Sequence, residues 1–317
     1  MSAADDLARV DPDLRAVVKL LPDLSRLSAA SLPSVRTAIA GAPAVLGRDA
    51  DGVNVTRIEI PGLKGGPSVS ALLYEPPTPP DRTRRPALLD LHGGGYVAGT
   101  AQREDGTLRL FARTLGVVGL APDYRLAPEH PYPAALDDAA ACLAWLHAEV
   151  PALSLDPARI AVRGVSAGGG LATALALRAR DHGGPSIAHL QLLFPMLDDR
   201  TAEHAFNGRY VWTPSANRFG WNALLGDHDR SAPAPYAVPA RATDVSNLPA
   251  TFLGLGALDL FARENLQFAS RLIDAGVAVE MHVYPGAYHA FNLVADARCA
   301  KALQTAEIDA LHRALCE

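Results

Sequence analysis

Short apolar runs alternate with longer stretches of helical spacing along the middle of this chain. The runs are PALLDLH (86–92), VVGLAPDY (117–124), RIAVRGV (159–165) and AHLQLLFPML (188–197). Between them lie TLRLFARTLG, AALDDAAACLAWLHAEV and AGGGLATALALRARDHG, whose apolar residues recur at helical spacing. A strand, a helix and a further strand in repetition build a parallel sheet with helices on both faces, because each crossover must return over one face. Two later runs, ATFLGLGAL and VAVEMHVYP, bracket the amphipathic stretch FARENLQFASRLIDAG. Ahead of them all, VNVTRIEI and VSALLY alternate with period two, as an antiparallel pair near a sheet edge does. The expected class is α/β, with about eight strands in a mostly parallel sheet.

Two segments do not fit that repeat. Residues 1–46 read as helical pieces broken by prolines and precede any strand. Residues 198–244 separate the sixth run from the seventh by far more chain than an α/β connection needs. Within them WTPSANRFGWNALLG spaces Trp212, Phe219, Trp221 and Leu224 as one helical face. The expected organisation is a core of 47–197 and 245–317, with 1–46 and 198–244 lying over the sheet as a helical cap.

Charge and composition narrow the function classes. The net charge is -5 and arginine is dispersed, so the basic footprint of a nucleic-acid binder is missing. MSAADDLARV places two aspartates where a secretory leader carries positive charge, and no window reaches the apolar length of a membrane span. A cytoplasmic location is expected. Cys142, Cys299 and Cys316 fit no zinc or disulfide framework, and neither H-E-x-x-H nor G-x-G-x-x-G occurs, so no metal or cofactor is expected.

The sharpest chemical signal is Gly164-Val165-Ser166-Ala167-Gly168, which ends RIAV and opens a helical stretch. A serine on so tight a strand-to-helix turn needs small residues two before and two after it, and stands exposed at a helix N-terminus. A second signal, His92-Gly93-Gly94-Gly95-Tyr96, follows the strand ALLDL. Consecutive glycines let backbone N–H groups turn inward, so Gly94, Gly95 and Ala167 are candidate donors to an oxyanion. His92 is expected to shape that loop.

Among the histidines after Ser166, His289 alone lies in a loop directly after the last strand, at the sheet edge where the serine emerges. His282, within that strand, is expected to be solvated. The acid expected to orient His289 is Asp259, at the end of TFLGLGALD, although an aspartate there also suits the start of the next helix. Glu264 is the alternative acid; Asp244 and Asp274 are poorly placed.

These residues resemble the hormone-sensitive lipase family of esterases, bacterial family IV, a branch of the α/β-hydrolases. The resemblance runs from Leu89 to Phe291 and is carried by HGGGY, DYRLAPEHPYPAALDD, GVSAGGGLA, LDLFARE and YHAF. It implies an α/β-hydrolase fold with a helical cap, cofactor-free hydrolysis of short to medium acyl esters, and in many members a homodimer formed through the last strand. It also implies that Asp123, Arg125 and Glu129 hold the oxyanion loop, and the prolines Pro122, Pro131 and Pro133 are candidates for cis bonds. Val165, Gly170, Leu260 and Ala290 depart from the family's usual residues, the last standing where glycine usually follows the histidine. The expected activity is that of a carboxylesterase using Ser166, Asp259 and His289 on a small-molecule ester. The alternatives are a non-catalytic small-molecule receptor on the same scaffold, which would lack a complete set of reacting groups, and an amidase using the same residues.

Overall fold

Residues along each central strand point alternately to opposite faces, and helices cover both faces, so nearly every position is apolar. The computed structural model describes residues 7–18, 20, 24–40, 46–77, 84–201 and 203–317. Residues 1–6, 19, 21–23 and 41–45 of the expected N-terminal helical segment lie outside the described residues.

The strands are β1 (Gly47–Arg48), β2 (Asn54–Ile60), β3 (Val69–Glu75), β4 (Arg85–Leu91), β5 (Val118–Pro122), β6 (Leu155–Val165), β7 (His189–Leu193), β8 (Ala250–Gly256) and β9 (Val279–Tyr284). Among the described residues they form one nine-stranded sheet in the order β1-β2-β3-β5-β4-β6-β7-β8-β9. From β5 through β4 to β9 the pairing is parallel, while β1, β2 and β3 are antiparallel to their neighbours. The strand beyond the expected eight is β1, whose two residues pair with Val55 and Asn54 and are too few to carry a period.

The helices are α1 (Pro12–Val18), α2 (Leu32–Ile39), α3 (Asp105–Leu115), α4 (Ala134–Ala148), α5 (Ala167–Asp181), α6 (Pro214–Leu225), α7 (Ala262–Asp274) and α8 (Arg298–Leu315). Ala87, Leu89 and Leu91 of β4 pack in one cluster with Leu143 of α4, Leu175 of α5 and Phe268 of α7. Leu88, from the same strand, points the other way and packs with Phe111 of α3 and Leu311 of α8. The long connection after β7 carries α6, whose N-cap Thr213 accepts a hydrogen bond from the Ala216 amide. Trp212, Trp221 and Leu224 are buried, while Phe219 is half-buried. Ser215 at the start of α6 donates to the Ser25 carbonyl at 2.7 Å, joining the insertion to the N-terminal segment. No helix among the described residues is long and apolar enough to cross a membrane.

Candidate active site

Parallel strands deliver their C-terminal ends to one sheet edge, which is where an open α/β sheet presents reactive groups. Ser166 follows β6, Asp259 lies three residues past β8, and His289 sits in the loop after β9. The turn at Ser166 is strained for an L-residue, with φ 55° and ψ −117°. It closes because its flanking residues have no side chain. A Cβ on Gly164 would stand 2.2 Å from the Gly168 carbonyl oxygen, and one on Gly168 would stand 1.9 Å from that of Leu91.

The three polar groups form one chain. Ser166 Oγ lies 2.9 Å from His289 Nε2, and His289 Nδ1 lies 2.8 Å from Asp259 Oδ2. All are removed from solvent, with exposures of 5%, 4% and 0% for Ser166, His289 and Asp259. Phe194 and Phe261 meet the imidazole edge-to-face, at centroid separations of 4.9 and 5.2 Å, and so fix its plane. Asp259 is not the N-cap of α7, a place taken by Phe261, but its Oδ1 accepts from the Phe261 amide at 2.9 Å ahead of that helix while its Oδ2 faces the histidine. Glu264 does not reach His289. Its Oε1 accepts from the Leu197 amide at 2.7 Å and its Oε2 from the Thr201 hydroxyl, pinning the segment after β7. Burial holds that carboxyl well above the usual range.

The glycine loop packs directly on the serine turn. A Cβ at Gly93 would stand 3.0 Å from the Val165 carbonyl oxygen and 3.4 Å from Ser166 Cβ. Gly94, at φ 134°, has the Ala98 carbonyl oxygen 1.9 Å from where a Cβ would be, so only glycine fits there. The Trp212 ring, ahead of α6, lies against Gly95 and 6.4 Å from the His289 ring, closing one side of the space above Ser166. His92 shapes the loop as expected: its ring stacks on Tyr124 at 4.1 Å and its Nδ1 meets the Gly93 carbonyl. Burial lowers its pKa. His282, half-buried on β9, binds Glu280 at 2.8 Å, so it is a partnered strand residue rather than a freely solvated one.

Asp123 and Glu129 brace this loop and Arg125 does not. Asp123 Oδ1 accepts from the Ala101 amide at 2.7 Å. Glu129 forms two 2.7 Å bonds with Arg36, which in turn donates to the Val97 carbonyl. That guanidinium holds the Glu129 carboxyl down at about 2. Arg125 instead grips Asp138 of α4, because its side chain leaves the strand end toward that helix. The cis bonds precede Pro128 and Pro133; Pro122 and Pro131 are trans.

Ala290 explains the family's preference for glycine at its position: φ is 60° and ψ 29°, the left-handed region that costs an L-residue about 1–2 kcal/mol. Ala290→Gly removes that strain and adds a smaller entropy to the unfolded chain, so a net stabilisation of about 0.5–1 kcal/mol is expected. It would be read as a higher urea midpoint at unchanged m-value; a lower midpoint would mean that the loop accommodates alanine without strain.

Arg163 on β6 and Asp90 on β4, neither of them a candidate on sequence grounds, pair across the sheet, buried, at 2.7 Å. A charge inside each of two strands read as buried, RIAVRGV and ALLDL, was the available signal.

Comparison with known proteins agrees with this fold. The family described as alpha/beta hydrolase fold matches residues 88–293. Esterase LipI of Mycobacterium tuberculosis is 38% identical over 73% of this chain and 72% of its own length. Carboxylesterase NlhH of the same species is 32% identical over 88% of this chain and 89% of its own. A solved structure of a bacterial heroin esterase superposes with a TM-score of 0.86 at 36% identity, covering 98% of this chain and 99% of that one.

Proposed function

This chain belongs to the α/β-hydrolase family, within its hormone-sensitive lipase branch, and is a carboxylic ester hydrolase; on that footing we propose that Ser166, His289 and Asp259 carry the reaction. The observation that carries the assignment is the buried chain of hydrogen bonds from Ser166 through His289 to Asp259, at 2.9 and 2.8 Å. His289 Nε2 takes the serine proton as Oγ attacks the ester carbonyl carbon. Asp259 holds the proton on Nδ1, leaving Nε2 free to accept, and stabilises the imidazolium that forms. The amides of Gly94, Gly95 and Ala167 receive the oxyanion. The tetrahedral intermediate collapses, His289 returns its proton to the departing alcohol, and water repeats the sequence on the acyl-enzyme.

Residues 1–46 and 198–244 act as the cap, and substrates are esters of short to medium acyl chains. Support for the cap is a depression of about 1070 Å³ between the N-terminal segment at Leu7, Val18 and Ser25 and the insertion at Asn207, Tyr210 and Thr213. The Asn207 side chain, which lines it, donates to the backbone carbonyl of Asp259 at 2.8 Å and so ties this wall to the segment bearing the acid. Support for a short acyl group is the Trp212 ring over Gly95, which limits the space above the serine.

The test is a fluorophosphonate probe followed by peptide mapping, together with a panel of p-nitrophenyl esters from acetate to dodecanoate and the matching anilides. Labelling at Ser166, faster turnover of butyrate than dodecanoate, and slow anilide hydrolysis are expected. A label on another residue would remove the nucleophile assignment, dodecanoate turned over faster than butyrate would remove the acyl-length assignment, and anilides cleaved as fast as esters would make the enzyme an amidase.

A further inference from the structure

Arg163 points from β6 toward the face covered by α3 and α8, the face on which Leu88, Ala161, Phe111 and Leu311 pack. Its Nη1 donates to Asp90 Oδ1 at 2.7 Å and to Glu104 Oε2 at 3.1 Å, and its Nε donates to Glu307 Oε1 at 3.0 Å. Every member is buried, from 1% exposure at Arg163 and Asp90 to 7% at Glu104. One guanidinium thus faces three carboxylates from three different elements. Three carboxylates against one guanidinium give the buried cluster an excess of acidic groups, and burial disfavours the charged form of such acids. Burial pushes the Asp90 carboxyl up to about 7 and raises that of Glu307. Asp90 Oδ2 is buried with no hydrogen-bond partner among the described residues, so Oδ1 alone ties this carboxyl to Arg163.

The placement of the members matters more than their charge. Arg163 lies three residues before Ser166 on the same strand. Asp90 lies two residues before His92, where β4 feeds the glycine loop. Glu104 lies at the far end of that loop, where the chain enters α3. The two ends of the loop are therefore tied to one guanidinium on the serine's strand. A misplacement of about 1 Å between reacting groups costs on the order of 100-fold in rate, so such a tie has catalytic consequences.

We propose that Arg163 is a positioning residue: through Asp90 and Glu104 it clamps both ends of the glycine loop to the strand bearing Ser166, setting the Gly94 and Gly95 amides against the serine. The proposal rests on the reading of Ser166 as nucleophile and of those amides as oxyanion donors. Glu307 anchors the guanidinium from α8 and Gln191, in register with Arg163 on β7, packs beside it.

The decisive variant is Asp90→Leu/Glu104→Leu. It keeps the Arg163–Glu307 pair with balanced charge and replaces two carboxylates with apolar groups of similar size, while Arg163 Nη1 loses both of its acceptors, so thermal unfolding is measured alongside to establish that the variant folds. Active sites are counted by fluorophosphonate titration, so that misfolded protein does not enter kcat. Per active site, kcat for p-nitrophenyl butyrate is expected to fall about 10- to 100-fold with KM nearly unchanged, and affinity for a trifluoromethyl ketone, which binds as an oxyanion, to fall in step. Asp90→Asn/Glu104→Gln, which keeps an acceptor oxygen for each bond, is expected to recover most of the rate. If the leucine pair does not fold, Glu104→Leu alone is read by the same criteria. The proposal is overturned if kcat per active site is unchanged in the folded leucine variant, if ketone affinity does not follow it, or if the amide pair recovers nothing. Should the parent enzyme not be labelled at Ser166, the underlying assignment fails first and separately.

Discussion

Ser166→Ala is expected to lower kcat for p-nitrophenyl butyrate by roughly 10⁴- to 10⁶-fold while KM changes little. The substitution removes the one oxygen 2.9 Å from His289 Nε2 and leaves the glycine loop untouched. Alanine meets the same backbone strain at φ 55° as serine does, so the turn has no new reason to open. The thermal midpoint should therefore stay close to that of the parent. Hydrolysis that persists would come from water attacking an ester held by the oxyanion donors, which still exceeds the uncatalysed rate by about 10³–10⁴. Steady-state rates on protein freed of parent enzyme check this. A loss smaller than tenfold would mean that another group is the nucleophile, and the order of the sheet edge would have to be read again.

Much of this architecture was legible because it follows from period and steric demand. The strands β4 to β8 announce themselves as short, mostly apolar runs, and the helices between them by their spacing. The serine turn was legible for a harder reason: no side chain fits at Gly164 or Gly168, so the residue pattern is forced by the turn itself. What escaped is what depends on long-range meeting. β1 is a strand only because Gly47 and Arg48 lie beside Asn54 and Val55. Arg163, Asp90, Glu104 and Glu307 are scattered over more than 200 residues, and each alone reads as a solvated charge or a misplaced one. Arg125 shows the same limit, since a motif gives its residue type but not that Asp138 stands nearer than the loop. The choice between Asp259 and Glu264, five residues apart, also lay beyond spacing, because both flank the start of α7.

Asp259→Asn is therefore the substitution that tests the acid, with Glu264→Gln beside it. Asparagine has the shape of aspartate, and its oxygen can still accept from the Phe261 amide, so the entry to α7 should hold. Its NH₂ group then faces His289 Nδ1, which must accept rather than donate. The imidazole proton moves to Nε2, the atom that has to receive the proton of Ser166, and the ring is left in the wrong tautomer. The imidazolium formed during attack also loses the carboxylate that stabilises it. Together these predict a fall in kcat of about 10³- to 10⁴-fold, with KM little altered because the lost interaction matters most when charge develops. Glu264→Gln should act differently. Burial already favours the neutral form of that carboxyl, and a glutamine oxygen can accept from Leu197 as the glutamate does. Its expected cost is about 1–2 kcal/mol of stability, from the altered contact with Thr201, and less than tenfold in kcat. Kinetics and thermal unfolding on both variants separate the roles, because the two residues load different observables. If the glutamine variant loses more activity than the asparagine variant, the orienting acid is Glu264 reached through a rearranged loop, and the buried contact between His289 and Asp259 is structural.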